Sequence, residues 1–442
     1  MADVQPFRGL RYESGLIGDI SSAICPPYDV ISPEDQLSYY QASPYNAIRL
    51  ELAEESPVES SEENKYVRAA RDLRSWLDSG VLVREAGPAF YVLQHTFSYE
   101  GTAGRRWGLA LRMRLEARGD GALPHETVIE ERISDRLQLL RHLQVNSSPI
   151  MGMVKPGGYG LTELLNGLAL GSPDIMAVDR DGVNHSMWTV KDPRAIEDIR
   201  SCCRDKRVYI ADGHHRYETA VAYQREQQAR SVTRTSQEAY NFALVILTGA
   251  EDPGLLALPT HRLARLNGVE LAGLRQSLER LFHLNYLEPA ETGRAESVTS
   301  WLVALREKGT EGVAIGLYGL DGGRLCVLTP KDKAGLAGLM PPEKSREWKS
   351  LDVSILHWIV LRQLIGIDTP LKEGERLEYT RDGLEALTRV DSGKYQLAFL
   401  MNPIPISSVL AVADAGDRMP PKSTYFYPKL PTGLVMNPLW DD

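Results

Sequence analysis

The sequence predicts a protein of the α/β to α+β class with mixed sheets, on three observations. Residues 208–220 consist of an apolar strand, a glycine turn and a helix. Residues 90–96 and 106–115 are apolar or alternate between apolar and polar side chains, and Glu100-Gly101 lies between them, which predicts a hairpin. Residues 241–249 form a short apolar run between turn residues, as buried strands do. Strands joined both by hairpins and by helices favour sheets of mixed direction.

The first hundred residues predict two helices and a short strand. Ser32 has the features of an N-cap, with Pro33 at the first helical position and Asp35 in the first turn. Residues 47–50 are expected to form a strand. A second helix is expected to end near Leu77, because apolar side chains recur there at intervals of three and four residues.

The remaining elements follow from similar patterns. Helices are predicted within residues 135–140, 191–200, 215–229 and 354–364, strands within 313–317, 325–328 and 396–401, and turns at 179–182 and 321–323. A chain of 442 residues exceeds the size at which single cores stop growing. We expect a phosphate-binding lobe over residues 1–240, a second α/β lobe over 241–402, and a C-terminal strap over 403–442 that returns to the site.

Composition narrows the class of protein. The 50 basic and 59 acidic residues give a formal charge of −9, which argues against nucleic acid as the main partner. The first residues lack the pattern of a signal peptide, and no apolar run approaches the roughly 18 residues of a membrane span. A cytoplasmic protein without a membrane partner is therefore expected. The four cysteines form neither a disulfide framework nor a CxxC metal motif.

The most informative segment is the strand-to-helix corner, defined here as Asp212, Gly213, His214, His215 and Arg216. A reversal this tight often needs a glycine that tolerates positive φ. Cations in the first turn oppose the helix dipole, so an anion is expected to compensate them. The plainer alternative is a helix N-terminus with solvated polar residues. Joint metal binding by the two histidines is disfavoured, because adjacent helical residues point about 100° apart.

Four further residues are candidates for the same site, provided that the fold brings them close to the corner. Glu126 follows a histidine in a polar loop and can act as a general base if it reaches the corner. Arg136 suits phosphate oxygens, although it can equally be a surface partner of Asp135. His261 is expected in a second cationic loop after a strand. Lys422 lies in a proline-rich tail that can clamp a phosphate, or that simply packs on the core through its aromatic residues.

The chain resembles a known family through six ordered segments, which are PPYDVIS, NAIRLEL, PHETVIEERISDRLQLL, YIADGHHRYETA, LPTHR and MPPKSTYFYPKLPTGL. This is the family known as domain of unknown function 1015, and the likeness spans nearly the whole chain. The strand–DGHHR–helix box is also similar to that of the ParB/sulfiredoxin-like superfamily, which includes free-serine kinases. That resemblance implies contacts from Asp212, Gly213, His215 and Arg216 to nucleotide phosphates. His214 stands where sulfiredoxin has its cysteine, which argues against sulfiredoxin chemistry.

These observations lead to a functional hypothesis with two alternatives. We expect a nucleotide-dependent phosphoryl-transfer enzyme, a kinase or phosphatase of serine or a similar small metabolite, which uses ATP or ADP with Mg²⁺. His214, His215, Asp212 and Glu126 are the catalytic candidates. His214 or Glu126 would act as the base, and Asp212 would either hold a metal ion or orient the histidine. Gly213 and Arg216, with Arg136, His261 and Lys422 if the fold gathers them, would bind the nucleotide. The alternatives are a regulatory protein that binds a nucleotide or phosphometabolite without turnover, and a phosphohydrolase that needs no nucleotide.

Overall fold

A computed structural model describes residues 3–116, 122–126, 128, 130–157, 160–231, 235–266, 268–291, 293–367 and 376–440. The chain divides into two compact units. The first comprises Met1–Pro124, Val128–Leu256 and Phe426–Asp442, and the second comprises His125–Thr127 and Ala257–Tyr425. The short strands Leu256–Leu258 and Tyr425–Tyr427 lie where the chain passes from one unit to the other.

A large mixed sheet forms the centre of the first unit. Among the described residues its strands lie side by side in the order Ala122–Pro124, Val208–Asp212, Ile150–Val154, Phe242–Gly249, Thr102–Arg114, Phe90–Tyr99, Asn184–Val190 and Ile175–Val178, and Val4–Gln5 pairs with Thr102–Arg114. The strand Ile150–Val154 runs parallel to Phe242–Gly249 but antiparallel to Val208–Asp212. The sheet therefore confirms the predicted class and the predicted hairpin around Glu100-Gly101.

One face of this sheet packs on the main core of the first unit. Trp107, Leu109 and Leu111 alternate along their strand and belong to that core, as do Val245 and Leu247 on the neighbouring strand. The helices Leu161–Leu168, Pro193–Cys203 and His214–Arg230 contribute apolar side chains to the same core. Because side chains alternate along a strand, the residues between these apolar positions face the opposite side of the sheet.

The remaining elements of the first unit are short strands and helices. They are the strands Leu10–Tyr12, Leu82–Arg84, Val145–Asn146 and Asn437–Pro438, and the helices Ser14–Ile17, Pro33–Ala42, Ile48–Glu51, Lys65–Asp78 and Glu130–Leu143. The helix Pro33–Ala42 begins with a capping box between Ser32 and Asp35, as predicted. The prediction of a strand at residues 47–50 is wrong. That segment is helical, because the side chain of Asn46 accepts the N–H of Ile48 and starts a turn.

The second unit contains a smaller sheet. Its described strands lie in the order Phe282–Leu287, Leu325–Pro330, Ile315–Tyr318, Leu397–Leu400, His261–Ala264 and Leu377–Thr380. The pairs are antiparallel, and they include the predicted hairpin between 313–317 and 325–328. The helices are Leu271–Leu281, Arg294–Glu311, Lys333–Gly338, Arg346–Lys349, Asp352–Ile355, the π-helix Leu356–Ile365, Gly383–Asp391 and Ile406–Asp414. No helix among the residues described in either unit is long and apolar enough to cross a lipid bilayer.

The division into units differs from the expected boundaries at residues 240 and 402. The strand Phe242–Gly249 lies inside the first sheet because it pairs with strands on both of its sides. The expected strap, residues 403–442, is also divided, since the first unit takes only Phe426–Asp442. Within that segment, Asn437–Pro438 pairs with Val145–Asn146. Boundaries predicted from the order of local elements along the sequence do not capture such long-range strand pairing.

Candidate functional site

The backbone of the corner turns at a glycine in the left-handed region. The strand ends at Asp212, Gly213 has φ 86° and ψ 29°, and the helix His214–Arg230 begins directly after it. A Cβ atom at Gly213 would also lie 3.1 Å from the guanidinium of Arg216. Both the left-handed conformation and the close approach of Arg216 therefore favour glycine at this position.

A bulge turns Asp212 away from the main core. Ile210 pairs with Gly152, but Asp212 pairs with the next residue on that strand, Met151, so the register shifts between them. Ile210 points into the core. Because of the extra residue, Asp212 faces the opposite side of the sheet, where a β-bulge commonly re-aims a functional side chain.

Asp212 lies between two cationic side chains. Its Oδ1 atom is 3.0 Å from Lys429 Nζ, and its Oδ2 atom is 3.0 Å from an Arg216 nitrogen. Burial by itself raises the pKa of Asp212, but the charges of Lys429, Arg216 and His214 outweigh that effect and keep the pKa well below its usual range. The carboxylate is therefore ionised at neutral pH. It provides at least part of the negative charge that the cations of the corner were expected to need.

Arg216 makes several contacts within the first unit. It donates to Ser148 Oγ at 2.8 Å, to the carbonyl of Pro149 and to Asp212. Only 11% of its side chain is exposed. These bonds fix the guanidinium beside the start of the helix, and contact with a ligand phosphate remains a prediction for this residue.

The two histidines differ in their exposure. His214 is 6% exposed, whereas His215 is half-buried. The charge of His214 is one of those that lower the pKa of Asp212, which indicates that its ring is near the carboxylate. A carboxylate that stays ionised can orient a neighbouring imidazole, which is one of the two roles that the sequence suggested for Asp212.

Arg136 is buried and lies near Arg216. It bonds to Asp135 and to the carbonyl of Glu51, and its guanidinium carbon lies 4.3 Å from the ring centroid of Tyr28. Arg136 and Arg216 both line a small cavity of about 50 Å³. This volume has room for a few water molecules only. The structure thus brings the two arginines together, and it gives Arg136 contacts that a structural residue would have.

Glu126 and Lys422 lie together in the second unit. Glu126 Oε1 accepts the backbone N–H of Lys422 at 2.9 Å, and Arg262 donates to the Lys422 carbonyl at 3.2 Å. Lys422 has a φ of 54°, which is uncommon for a residue with a side chain. Non-glycine residues in this region often mark binding sites, because the surrounding structure must compensate for the strain.

The prediction that His261 lies in a cationic loop is wrong. His261 is the first residue of the strand His261–Ala264 and is 1% exposed. Its Nδ1 atom accepts the backbone N–H of Met401 at 3.1 Å. Burial and the adjacent Arg262 lower its pKa to about 4, so it is neutral at pH 7. The turn-like Leu-Pro-Thr sequence before it suggested a loop, but pairing with Thr380 places it in the sheet.

No group of three or more histidine, cysteine, aspartate or glutamate side chains suited to a metal ion occurs in the part of the chain that the structure describes. Each oxygen of Asp212 already accepts a cationic donor. Asp212 therefore fits the role of an orienting group better than that of a magnesium ligand.

Asp212 shares its face of the first sheet with four other polar residues. We call this face the polar face, and its polar residues are Asp212, Thr248, Arg106, His95 and His185. Cross-strand pairs connect them, since Asp212 pairs with Met151, Met151 with Ile246, and His95 with both Arg106 and His185. No sequence motif singled out Arg106, Thr248, His95 or Lys429 as a candidate site residue. The available signal for Arg106 was its position as a charged residue in a predicted strand that is otherwise rich in apolar residues. Lys429 lies in the aromatic tail segment that was singled out, seven residues after Lys422.

Comparison with known proteins identifies the family. The model of the family described as "Protein of unknown function (DUF1015)" matches residues 4–354, and the chain belongs to this family. No curated protein matches the sequence. The resemblance to this family that the sequence motifs indicated is thereby confirmed.

Several solved structures resemble the chain, all at low similarity. A conserved hypothetical protein from Pyrococcus furiosus is 14% identical, with a TM-score of 0.31, over 70% of this chain and 87% of that one. A free serine kinase in complex with AMP is 14% identical, with a TM-score of 0.35, over 70% and 84%. SbnI from Staphylococcus aureus, with a C-terminal truncation, is 14% identical, with a TM-score of 0.32, over 72% and 85%.

Proposed function

We propose that the chain binds the phosphates of ATP or ADP at the corner and transfers a phosphoryl group between the nucleotide and a small metabolite. One observation carries this proposal. Asp212, Lys429 and Arg216 form an ionic cluster at the start of a 17-residue helix. Two cations share one carboxylate there, and two histidines follow, so the cluster favours a further anion.

The backbone supports the same proposal. The first N–H groups of an α-helix have no acceptor within the helix. Gly213, as the N-cap, offers no side-chain oxygen to accept them. In the proposed complex the backbone at Gly213, His214 and His215 would donate to phosphate oxygens, and Arg216 would add its charge.

The side chains can supply the proton transfer. In the kinase direction, the hydroxyl oxygen of the metabolite attacks the terminal phosphorus, and the bond from that phosphorus to the bridging oxygen breaks. The hydroxyl proton passes to His214, whose ring Asp212 orients. The role of general base that the sequence suggested for Glu126 stays a prediction. Mg²⁺ would come with the nucleotide phosphates, and no step is assigned to it here.

The first test is binding. Isothermal titration of the full chain with ADP and ATP is expected to show binding that His215→Ala and Arg216→Ala each weaken by roughly tenfold or more, as for a lost charge-assisted hydrogen bond. His142→Ala is the control, because His142 is an exposed histidine of the same unit and bonds to the carbonyl of Gln138. Unchanged binding in both corner variants would reject the proposal.

The second test is turnover. The protein is incubated with ATP or ADP and a panel of hydroxy-amino acids and their phosphates, and products are detected by mass spectrometry. Product that forms only with nucleotide supports phosphoryl transfer. Nucleotide binding without any product would support the regulatory alternative, and phosphate release without nucleotide would support the phosphohydrolase.

A further inference from the structure

Arg106 is a fully buried cation on the polar face of the first sheet. Its side chain has no exposed surface, and none of its three guanidinium nitrogens has a hydrogen-bond partner among the residues that the structure describes. Burial lowers the pKa of Arg106 to about 10, so the group remains charged at neutral pH. A buried charge without hydrogen bonds is costly, and such an exception calls for an explanation, such as a bound water, ion or ligand.

The acidic residues near Arg106 are engaged elsewhere. The charges of Asp252 and Asp212 are those that favour its protonated form. Asp252 accepts from the N–H groups of Trp107 and Gly254 and from Thr162 Oγ1. Asp212 accepts from Lys429 and Arg216. Their charge reaches Arg106, but their oxygens bond to other donors, and no acceptor within the described ranges takes the five N–H groups of the guanidinium.

Two neighbours of Arg106 on the polar face each have one buried polar atom without a hydrogen-bond partner in the described part of the chain. His95 pairs directly with Arg106 across the strands, and its Nε2 atom is buried and unbonded within the described residues. Leu247 pairs with Leu109, which places Thr248 beside Gly108, two residues from Arg106 on the same face. The hydroxyl of Thr248 is likewise buried and without a partner there.

The hydrogen bonds of His95 determine what its free nitrogen can do. His185 Nε2 donates to Asp179 Oδ2 at 3.1 Å, and in the neutral form of this ring its Nδ1 atom is then an acceptor. His95 Nδ1 lies 2.6 Å from this acceptor and must carry the proton. The network therefore assigns an unprotonated Nε2 to His95, which accepts a hydrogen bond.

We infer that Arg106, Thr248 and His95 form a binding site for a small carboxylic acid that carries a hydroxyl or ammonium group next to its carboxylate. The planar guanidinium matches a carboxylate in two parallel hydrogen bonds. The adjacent hydroxyl or ammonium group donates to His95 Nε2, and Thr248 can bond to either group. Because the site shares the polar face with Asp212, the acid would be the phosphoryl acceptor. That last assignment rests on the proposed function, but binding of the acid does not.

The experiment is a thermal-unfolding titration of the full chain without nucleotide. The probes are L-serine, ethanolamine, which lacks the carboxylate, and inorganic phosphate. We expect L-serine to raise the midpoint temperature of unfolding, and we expect ethanolamine and phosphate to leave that temperature unchanged. Arg106→Met should weaken the apparent affinity for L-serine by roughly thirtyfold. The control is Arg112→Met on the same face of the same strand, whose arginine bonds to Gln5 and lies over the ring of Phe242, and this variant should respond as the wild type does.

Each outcome decides the inference. The inference is overturned if L-serine does not stabilise the protein, or if only phosphate does. It is also overturned if L-serine stabilises Arg106→Met as much as it stabilises the wild type. Should Arg106→Met fail to fold, Thr248→Val provides the same test, with an expected loss of roughly fivefold. A separate titration with ADP distinguishes the two proposals. If the wild type binds L-serine through Arg106 but binds no nucleotide, the carboxylate site stands and the proposed function fails.

Discussion

Lys429 Nζ lies 3.0 Å from Asp212 Oδ1, although 217 residues separate the two in the sequence. The contact lies within the first unit, because the segment from Phe426 onward belongs to it. Nearby backbone bonds fix the same segment, since Thr432 bonds to Cys25 and Met436 to Leu10. The C-terminal residues are therefore part of the structure that positions the corner.

Lys429→Met is expected to lower the free energy of unfolding by about 2 kcal/mol at pH 7, because the largely buried carboxylate of Asp212 loses one of its two cations. Urea denaturation measures the change. The pKa of Asp212 is depressed in the folded protein, so its contribution is present above the unfolded pKa of about 4 and is lost as the pH falls. The variant should therefore lose less stability on acidification than the wild type.

A double-mutant cycle with Asp212→Asn provides the control. If the two side chains interact as the structure shows, the double variant should be less destabilised than the sum of the single variants, with a coupling of about 1 kcal/mol or more. Additive effects would mean that Lys429 contributes through packing alone.

Gly213→Ala tests the turn of the corner. Alanine at φ 86° costs about 1 kcal/mol, and the approach of Arg216 to 3.1 Å adds to that cost. The matched control is Gly182→Ala, since Gly182 has φ 76° and no neighbouring atom within 4 Å of an added Cβ. We expect the Gly213 variant to lose more stability than the control in urea denaturation. Equal losses would show that Arg216 moves aside freely.

Local patterns predicted much of the fold. The capping box at Ser32 and the hairpin at Glu100-Gly101 depend on neighbouring residues, so the sequence is sufficient to predict them. The strand order of the first sheet depends on pairings between distant segments, such as Ile150–Val154 with Phe242–Gly249. Propensity contains no information about such pairings, which explains why the unit boundaries differ from those expected.

The candidate site shows the same limit. The corner itself is predictable, because the apolar strand, glycine and cationic helix start are contiguous in the sequence. The choice between Lys422 and Lys429 as the lysine that bonds to Asp212 depends on how the tail packs, and the residues of the tail do not distinguish them. Arg106 has no distinguishing motif, and what brings it to attention is its burial without a hydrogen-bond partner among the described residues.

Arg136→Lys is expected to destabilise the protein by about 2 kcal/mol. The guanidinium bonds to Asp135 and to the Glu51 carbonyl at once and covers the ring of Tyr28, and an ammonium group cannot reproduce that geometry. Arg141→Lys on the same helix is the control. Arg141 is 34% exposed and pairs with Glu226, so its replacement should cost about 0.5 kcal/mol or less. A loss in the Arg136 variant as small as that of the control would argue that this arginine is free to serve a ligand.

The buried His261 predicts a dependence of stability on pH. Its pKa is about 4 in the folded protein, because burial and the charge of Arg262 outweigh the opposing charge of Asp382, and about 6.5 when unfolded. The unfolded chain therefore takes up a proton first as the pH falls. The contribution of the neutral imidazole is complete above pH 6.5 or so and declines toward pH 4, by at most about 3 kcal/mol.

His261→Asn separates this effect from other titrating groups. The asparagine oxygen can accept the Met401 N–H that His261 Nδ1 accepts now, but it does not titrate. Urea denaturation between pH 7 and pH 4 should show a smaller loss of stability for the variant than for the wild type. If the two proteins lose stability in parallel, His261 is protonated in the folded state, and its burial in the sheet does not keep it neutral.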